Sequence, residues 1–382
     1  MNLDKNTKAL LYLMRCALQN KKPEPIPELD YESLYKLSSA HSVVAMTAMA
    51  LESGELLTEQ YTTAECIKKW KDARVKAVRK NILLDAEREQ LLAYLEEIGA
   101  WYMPLKGSVL KELYPKLGMR QMADNDILFD ATYQQLVKDF MVGRGYQVID
   151  FARGNHDVYE KPPVYNFEFH TSLFAENSHP EWAAYYKNVY ERLFRMPGTN
   201  HGCCFSDEDF YVYFLLHGYK HYDGSGTGIR FLTDIFVFLQ KRSKALNWIY
   251  IIAELKKLGI DEFEEKSRKL ACKLFGKEEI LLEDEEQEQL AYMMGSGTYG
   301  TMENHVSKEL EKLQGTDKPV TAWTKVKYTF QRIFPGIEHM KQYSAFCRKH
   351  PWSFPFFWVV RWCRAATVRR KAIMQEFKAV RK

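Results

Sequence analysis

Hydrophobic and polar residues follow a helical period at both ends of this chain. Between about residues 61 and 98 there is no glycine or proline, and charged residues separate apolar ones at helical spacing: Leu83, Leu84, Leu91, Leu92 and Leu95. This pattern predicts one long amphipathic helix. Shorter helices are predicted at residues 4–20 and 31–53, on either side of the proline-rich connector "KKPEPIPEL".

Between about residues 100 and 175 the pattern is typical of short strands mixed with helices. "WYMPLKG" and "MADNDILF" read as strands around a helix at about residues 108–117, which Gly118 would end. A helix in "ATYQQLVKDFMVGRGY" precedes a predicted hairpin, "QVIDFARGNHDVYEK", with Gly154 and Asn155 at its turn. The alternating segment "VYNFEFHTSLF" predicts one more strand. This part should form a mixed sheet.

Beyond Ser206 the pattern is helical again. Ser206 and Asp209 resemble a capping box that opens a helix. Further helices are predicted at about 229–241, 245–258, 261–275, 283–294, 301–314 and 320–332, with a basic helix after Pro355. We therefore predict an α+β protein with a helical N-terminal extension (1–60), a small mixed-sheet core (61–204) and a larger helical C-terminal region (205–382).

Charge and cysteine content narrow the class of protein. The net charge is only +4, yet ten Lys or Arg and one Glu lie between Arg348 and Lys382. Such a tail suits phosphates or an acidic surface, or is simply the solvated face of a helix. The seven cysteines form no Cys-x-x-Cys pair, which favours reduced thiols in a cytoplasmic protein. The apolar run "PWSFPFFWVV" is too short to span a membrane.

Two aspartates one residue apart stand at the start of the predicted strand "MADNDILF". In a strand Asp124 and Asp126 would project from one face, roughly 7 Å apart, with Asn125 on the other face. Two buried carboxylates repel each other and lose hydration, and a bound divalent cation would relieve both costs. Mg²⁺ in particular is usually held by one or two carboxylates together with substrate phosphates. The alternative is that both aspartates line a turn.

A third carboxylate stands on the later strand, between two phenylalanines. Glu168 lies between Phe167 and Phe169, and His170 should share its face. Together with the aspartates, Glu168 could complete a site for two metal ions about 3.5–4 Å apart, an arrangement that supports phosphoryl displacement. The alternative is that Glu168 pairs with a basic residue.

A glycine-containing turn precedes the aspartates. Lys106, Gly107 and Ser108 join the first predicted strand to a helix, and a helix whose N-terminal amides face outward is a natural phosphate cradle. Lys106 or Arg120 could add charge-assisted contacts to a triphosphate.

These segments together resemble the polymerase-beta-like nucleotidyltransferase superfamily, which has a Gly-Ser turn, an acid-x-acid strand and a later acid between hydrophobic residues. More closely, "LKGSVLKELYPKLGMRQMADNDILF" is similar to a bacterial family of uncharacterised nucleotidyltransferases. The similarity continues through "EFHTSLF", "LLHGYKHY", "RFLTDIFVFL", "SGTYGTMENHV" and "RIFPGIEHMKQYSAFCRKHPWSFPFFWVVR". Two departures are a 15-residue gap between Ser108 and Asp124, and a polar Asn125 where a hydrophobic residue is usual.

The resemblance implies an enzyme that transfers a nucleoside monophosphate from an NTP, such as ATP, to a hydroxyl group and releases pyrophosphate. It implies two Mg²⁺ ions held by Asp124, Asp126 and Glu168. The acceptor could be a small molecule, a sugar or a protein, whereas RNA is permitted by the basic tail but not favoured. The alternative is a nucleotide-binding or interaction protein of the same fold without turnover.

The helical region offers further candidates. His217 and His221 are four residues apart on a predicted helix, but no third ligand lies nearby in sequence, so zinc is not favoured. His170, His217, Lys220, His221 and Asp234 are possible contacts to the nucleotide from outside the core. Asp234 is an acid in an apolar helix, for which we expect an ion pair with Arg230, four residues earlier. A more specific alternative is that Asp234 is the general base that deprotonates the acceptor hydroxyl.

Overall fold

The computed structural model describes residues 3–277, 281–315, 319–336, 346, 349–367 and 370–381. The chain divides into two compact units. The first comprises Met1–Tyr219 and Gly228–Thr298, and the second comprises Lys220–Thr227 and Tyr299–Lys382.

The N-terminal part of the first unit is helical, as predicted. The helices are α1 Lys5–Gln19, α2 Tyr31–Ala40, α3 Val44–Ser53 and α4 Ala64–Glu97. The single helix predicted at 31–53 is wrong, because Ser42 takes a left-handed conformation with φ 53° and separates α2 from α3. The long helix predicted at 61–98 is confirmed as α4, and Gly99 follows it with φ 76°.

A five-stranded mixed sheet forms the centre of the first unit. Its strands are β1 Tyr102–Pro104, β2 Asn125–Phe129, β3 Gln147–Asp150, β4 His156–Lys161 and β5 Tyr165–His170. Their order is β1-β2-β5-β4-β3, and only the β2–β5 pair is parallel. The α+β class is therefore confirmed, as is the antiparallel hairpin of β3 and β4.

The connection between β1 and β2 differs from the prediction. Instead of a helix over 108–117, the chain makes a four-residue helix, α5 Gly107–Leu110, followed by a 3₁₀ turn at Lys111–Leu113. Pro115 explains the early end, because a residue that precedes proline is disfavoured in helical conformation. Tyr114 is accordingly extended, with ψ 147°.

The remaining elements are mostly helices near their predicted positions. They are α6 Gln134–Gly143, α7 Pro180–Tyr185, β6 Phe194–Arg195, β7 Cys203–Cys204, α8 Asp207–Gly224, α9 Arg230–Arg242, α10 Trp248–Lys257, α11 Asp261–Gly276, α12 Asp284–Ser296, α13 Met302–Gln314, α14 Ala322–Ile333, α15 Phe354–Thr367 and α16 Arg370–Arg381. The cap of α8 is confirmed, since the Ser206 hydroxyl accepts a hydrogen bond from the Asp209 amide. Part of the predicted basic tail, together with residues 337–345, lies outside the described residues.

The core of the first unit lies between α4 and the sheet. Leucines on one face of α4 pack with aromatic and aliphatic residues of β2 and β5: Leu84, Leu91, Leu95, Ile127, Phe129, Phe167 and Phe169. All seven are essentially inaccessible to solvent, so burial of this apolar face fixes α4 against β2 and β5. Within the described part of the chain, no helix is long and apolar enough to cross a membrane.

Candidate functional site

The parallel pairing of β2 and β5 places Asp126 directly beside Glu168. Their Cα atoms are partners in the strand register, and Leu128 and His170 are the partners two residues on. Because alternate residues of a strand share a face, His170 projects on the same side as Glu168. One ligand atom each from Asp126, Glu168 and His170 lies within 4.8 Å of the others. The structure thus brings these three predicted residues together.

Asp124 lies just outside this group of three. β2 begins at Asn125, so Asp124 belongs to the approach to the strand rather than to the strand itself. Its side chain is half-buried, and the pKa of its carboxyl is raised by burial and by the neighbouring charge of Asp126. Lys106, Arg230 and Arg120 oppose that rise. Asp124 is therefore close enough to share the electrostatic field of the site.

Asn125 points to the opposite side of β2, as the strand period predicts. Its amide nitrogen donates to the Leu84 carbonyl at 3.1 Å, and its amide oxygen accepts from the Arg88 guanidinium at 3.1 Å. This buried side chain is thereby satisfied by α4. The polar residue that departs from the family pattern anchors the strand to a helix.

Asp126 is the anionic centre of the site. Burial raises the pKa of its carboxyl, but the Lys106 charge and a hydrogen bond from His170 outweigh this effect and hold the pKa well below its usual range. His170 Nε2 lies 2.8 Å from Asp126 Oδ1, and Lys106 Nζ lies 3.0 Å from the same oxygen. Because an ionised carboxylate only accepts, both nitrogens donate to it. Burial lowers the pKa of His170 to about 4, so this imidazole is neutral near pH 7.

Glu168 is the third carboxyl of the site, and its surroundings favour the protonated form. Burial, Asp126 and Asp124 together raise its pKa to about 7. Its Oε2 lies 3.6 Å from His170 Nε2 and 3.8 Å from His156 Nε2. A carboxyl whose pKa is raised in this way is typical of functional sites, and structural networks also produce such shifts.

Lys106 occupies an unusual turn. Its φ of 40° and ψ of −103° form a backbone conformation that residues other than glycine rarely adopt. The turn directs its ammonium group to Asp126 and, at 3.1 Å, to His217 Nε2. Since an ammonium group only donates, His217 Nε2 accepts this hydrogen bond. His217 thus lies beside the site.

The expected row of outward-facing amides does not form at the Gly107–Ser108 turn. The Ser108 and Val109 amides donate to the carbonyls of Leu105 and Lys106, because the turn is tight and α5 is short. A Cβ atom on Gly107 would lie 2.8 Å from Arg120 Nη1 and from the Met122 Cε methyl, so a larger residue here would require these side chains to shift. The role of Lys106, Gly107 and Ser108 in binding phosphate stays a prediction.

Arg120 and Asp234 form a buried, bidentate ion pair. Arg120 Nε donates to Asp234 Oδ1 at 2.7 Å and Nη2 donates to Oδ2 at 3.0 Å, while the Tyr114 hydroxyl donates to Oδ1 at 2.7 Å. We expected Arg230 as this partner, but the fold supplies Arg120, 114 residues away in sequence. Because both oxygens of Asp234 are bound in this way, the geometry does not favour Asp234 as a catalytic base. Arg120, predicted to bind phosphate, instead has its guanidinium group occupied by Asp234.

Two basic residues near Asp124 were not singled out from the sequence as site residues. Lys80 on α4 donates to the Ala123 carbonyl at 2.9 Å, and Arg230 at the start of α9 donates to the Gln121 carbonyl at 3.0 Å. Lys80 is one of many lysines in α4, so its spacing carried no signal. Arg230 was noted only as a partner for Asp234.

Lys220 and His221 belong to the second unit, whereas His217 belongs to the first. Their predicted contacts with a nucleotide stay predictions.

The donor set of the site fits a divalent cation. Carboxylate oxygens suit Mg²⁺ and Mn²⁺, and an imidazole nitrogen is accepted by several divalent metals. Asp126 and Glu168 supply two carboxylates at neighbouring positions, with Asp124 close by.

Comparisons with known proteins agree with this chemistry. A family model described as "uncharacterised nucleotidyltransferase" matches residues 27–276, which include Lys80, Lys106 and the three carboxylates. A solved structure, an antigenic nucleotidyltransferase-like protein from Paracoccidioides brasiliensis, is 13% identical with a TM-score of 0.30, and the alignment covers 50% of this chain and 92% of that one. A likeness this slight adds nothing on function. No curated protein matches the chain.

Proposed function

Because this chain belongs to the uncharacterised nucleotidyltransferase family, we propose that it transfers a nucleoside monophosphate from an NTP to a hydroxyl group. The observation that carries the proposal is the parallel register of β2 and β5, which sets Asp126 beside Glu168 with Asp124 two residues away. Three carboxylates this close together repel one another and lose hydration, which costs stability even with Lys106, Arg120 and Arg230 nearby. Their concentration on the neighbouring strands β2 and β5, and on the approach to β2, is reasonable if they hold cations for phosphoryl transfer.

We assign Asp124, Asp126 and Glu168 to hold the metal, for which we propose two Mg²⁺ ions. When bound, such ions polarise the transferred phosphoryl group and increase the acidity of the acceptor hydroxyl. His170 would keep Asp126 oriented through its 2.8 Å hydrogen bond. Arg120 would moderate the charge at Asp124 through space.

The remaining groups would position the substrates. Lys106 and the Gly107–Ser108 turn would lie on the phosphate side, with the ammonium group contributing a charge-assisted contact. In the reaction, an oxygen of the acceptor forms a bond to the α-phosphorus and loses its proton to solvent. The bond from the α-phosphorus to the oxygen bridging to the β-phosphate breaks, and pyrophosphate leaves. Most of this catalysis is positioning and electrostatics.

The test is a pyrophosphate-release assay with each NTP and Mg²⁺, using α-labelled nucleotide to follow transfer to a panel of small-molecule, sugar and protein acceptors. Asp124→Asn and Asp126→Asn should each lower transfer by at least about 10³-fold, because each removes a charge that acts on the transition state. Asp130→Asn is the matched control. Asp130 follows the same strand and caps the next turn by accepting from the Thr132 amide, a role that asparagine also fills.

Two outcomes would contradict the proposal. Full transfer activity in either site variant, with an unchanged circular dichroism spectrum, would exclude these residues as the metal ligands. Calorimetric binding of Mg-ATP or Mg-CTP without pyrophosphate release from any NTP would favour a nucleotide-binding protein of the same fold.

A further inference from the structure

Two cationic side chains approach Asp124 from different helices. Lys80 reaches the segment before β2 from α4 and donates to the Ala123 carbonyl at 2.9 Å. Arg230 reaches the same segment from the first position of α9 and donates to the Gln121 carbonyl at 3.0 Å. Both charges act on Asp124 through space. The approach to β2 is therefore held by two cations, one from each helix.

The helix α4 fixes this segment at further points. Asn81 donates to the Arg120 carbonyl at 3.2 Å, and Asn125 donates to the Leu84 carbonyl at 3.1 Å. Lys80 therefore emerges beside Asp124 from a rigid support, because its neighbours on the helix are anchored to the residues on both sides of Asp124. A site on a regular helix is positioned more precisely than one on a loop.

Lys106, Arg120 and Lys80, which all lie near Asp124, differ in how their charge is compensated. Lys106 is paired with Asp126 at 3.0 Å, and Arg120 is paired with Asp234 at 2.7 Å. Lys80 has no carboxylate within 4.0 Å among the described residues, and its hydrogen bond goes to a neutral carbonyl. Burial lowers the pKa of Lys80, with Asp124 opposing the change and Lys76 adding to it. Lys80 is thus a half-buried cation with little compensation.

Both side chains suit phosphate. An ammonium group has three N–H donors, and the Ala123 carbonyl takes one from Lys80. A planar guanidinium group, such as that of Arg230, carries N–H donors in a geometry that suits phosphate oxygens. The outer phosphates of an NTP gain negative charge as pyrophosphate leaves, so cations fixed at that position favour the transition state.

We propose that Lys80 and Arg230 form a phosphate subsite beside Asp124 that takes the two outer phosphates of the nucleotide and then the released pyrophosphate. We call this pair the outer-phosphate subsite. The outer-phosphate subsite rests on the proposed function, which supplies its substrate. Lys80 and Arg230 would take the phosphate-binding role predicted for Arg120, whose guanidinium group is bound to Asp234.

The test is calorimetric titration of the full-length protein with Mg-pyrophosphate, Mg-ATP and AMP. Lys80→Met and Arg230→Gln should each weaken pyrophosphate and ATP binding by about tenfold, the effect of one charge-assisted hydrogen bond, and should leave AMP binding unchanged. Lys80→Arg keeps the charge and should retain binding within about threefold. Lys71→Met is the matched control, because Lys71 is an exposed lysine on the same helix.

Circular dichroism spectra show whether each variant is folded, and Lys80→Gln replaces Lys80→Met if the latter is not. Equal pyrophosphate affinity in folded Lys80 variants, in Arg230→Gln and in the wild type would overturn the subsite even if the wild type transfers nucleotides. The same conclusion follows if the wild type binds no pyrophosphate. If pyrophosphate binds through Lys80 but no NTP releases it, the subsite stands and the proposed transfer reaction fails.

Discussion

Two groups of buried carboxylates in the first unit, one around Asp234 and one around Asp126, are built in opposite ways. Around Asp234, one carboxylate receives two hydrogen bonds from Arg120 and one from Tyr114, so its charge is fully compensated. Around Asp126, three carboxylates share a small region, where Lys106 is paired with Asp126 at 3.0 Å and two histidines lie close by.

This difference distinguishes carboxylates that stabilise the fold from carboxylates that are suited to bind a ligand. A buried ion pair whose partners are both present holds elements together at modest net gain, and it fails when one partner is lost. A set of like charges repels and costs stability, and such sets are typical of functional sites, where a ligand can supply the opposite charge. We therefore place Arg120 and Asp234 in the framework, and this difference supports our proposal that Asp124, Asp126 and Glu168 form the site.

The largest effect on stability should come from breaking the framework pair. Arg120→Met and Asp234→Leu should each lower the free energy of unfolding by about 3–5 kcal/mol, because each leaves an uncompensated buried charge. Urea denaturation followed by circular dichroism measures this change. The double variant should recover part of the loss, since it removes both charges. If either single variant loses less than about 1 kcal/mol, the pair is not part of the framework.

His41 is a third kind of buried group, whose pKa is shifted mainly by burial. It is inaccessible to solvent, and burial lowers its pKa to about 4 from 6.5, with the Met294 carbonyl opposing the change. The unfolded chain therefore binds a proton below pH 6.5 that the folded chain does not bind until about pH 4. The contribution of His41 to stability is complete above pH 6.5 and falls by about 3 kcal/mol as the pH decreases to 4. His170, whose pKa is also lowered to about 4, adds a decrease of the same sign.

Urea denaturation at several pH values tests this expectation. His41→Leu should flatten the decrease in stability between pH 6.5 and 4, whereas His201→Leu, at a half-buried histidine for comparison, should retain it. An equal decrease in the wild type and in His41→Leu would show that other groups cause the acid sensitivity.

The smallest effect on the free energy of unfolding should come from a change at Glu168. This change should raise the free energy of unfolding, whereas breaking the pair of Arg120 and Asp234 lowers it. In protein kept free of metal by a chelator at pH 8, Glu168→Gln should raise the free energy of unfolding by about 1 kcal/mol, because it removes one of three neighbouring negative charges. Thermal denaturation measures the change. Glu160→Gln on the adjacent strand is the control and should change little. A clear loss of stability in Glu168→Gln would mean that Glu168 belongs to the framework.

Much of this site could be predicted from local sequence. The alternating residues around Glu168 and the run that follows Asp126 predicted the strands, and a period of two fixes which side chains share a face. The long apolar face of α4 likewise predicted the helix that covers the sheet. The sequence also indicated that Asn125 points away from the aspartates, which the structure confirms.

Local sequence could not predict the pairing of distant residues. Helical spacing suggested Arg230 for Asp234, yet Arg120 reaches it from before β2. The predicted helix at 108–117 is wrong because Pro115 disfavours helical conformation at Tyr114. The position of Lys80 could not be predicted, because α4 carries several lysines and only the fold shows that this one lies beside Asp124.

The sequence by itself determined the residue types of the site, the strands that carry them and the faces on which they lie, because these depend on periods of two and 3.6 residues. The tertiary structure alone decided which charges are compensated. Compensation depends on distances of a few ångströms between residues that are up to about a hundred positions apart, and the register of β2 and β5, together with the packing of α4 and α9, sets those distances.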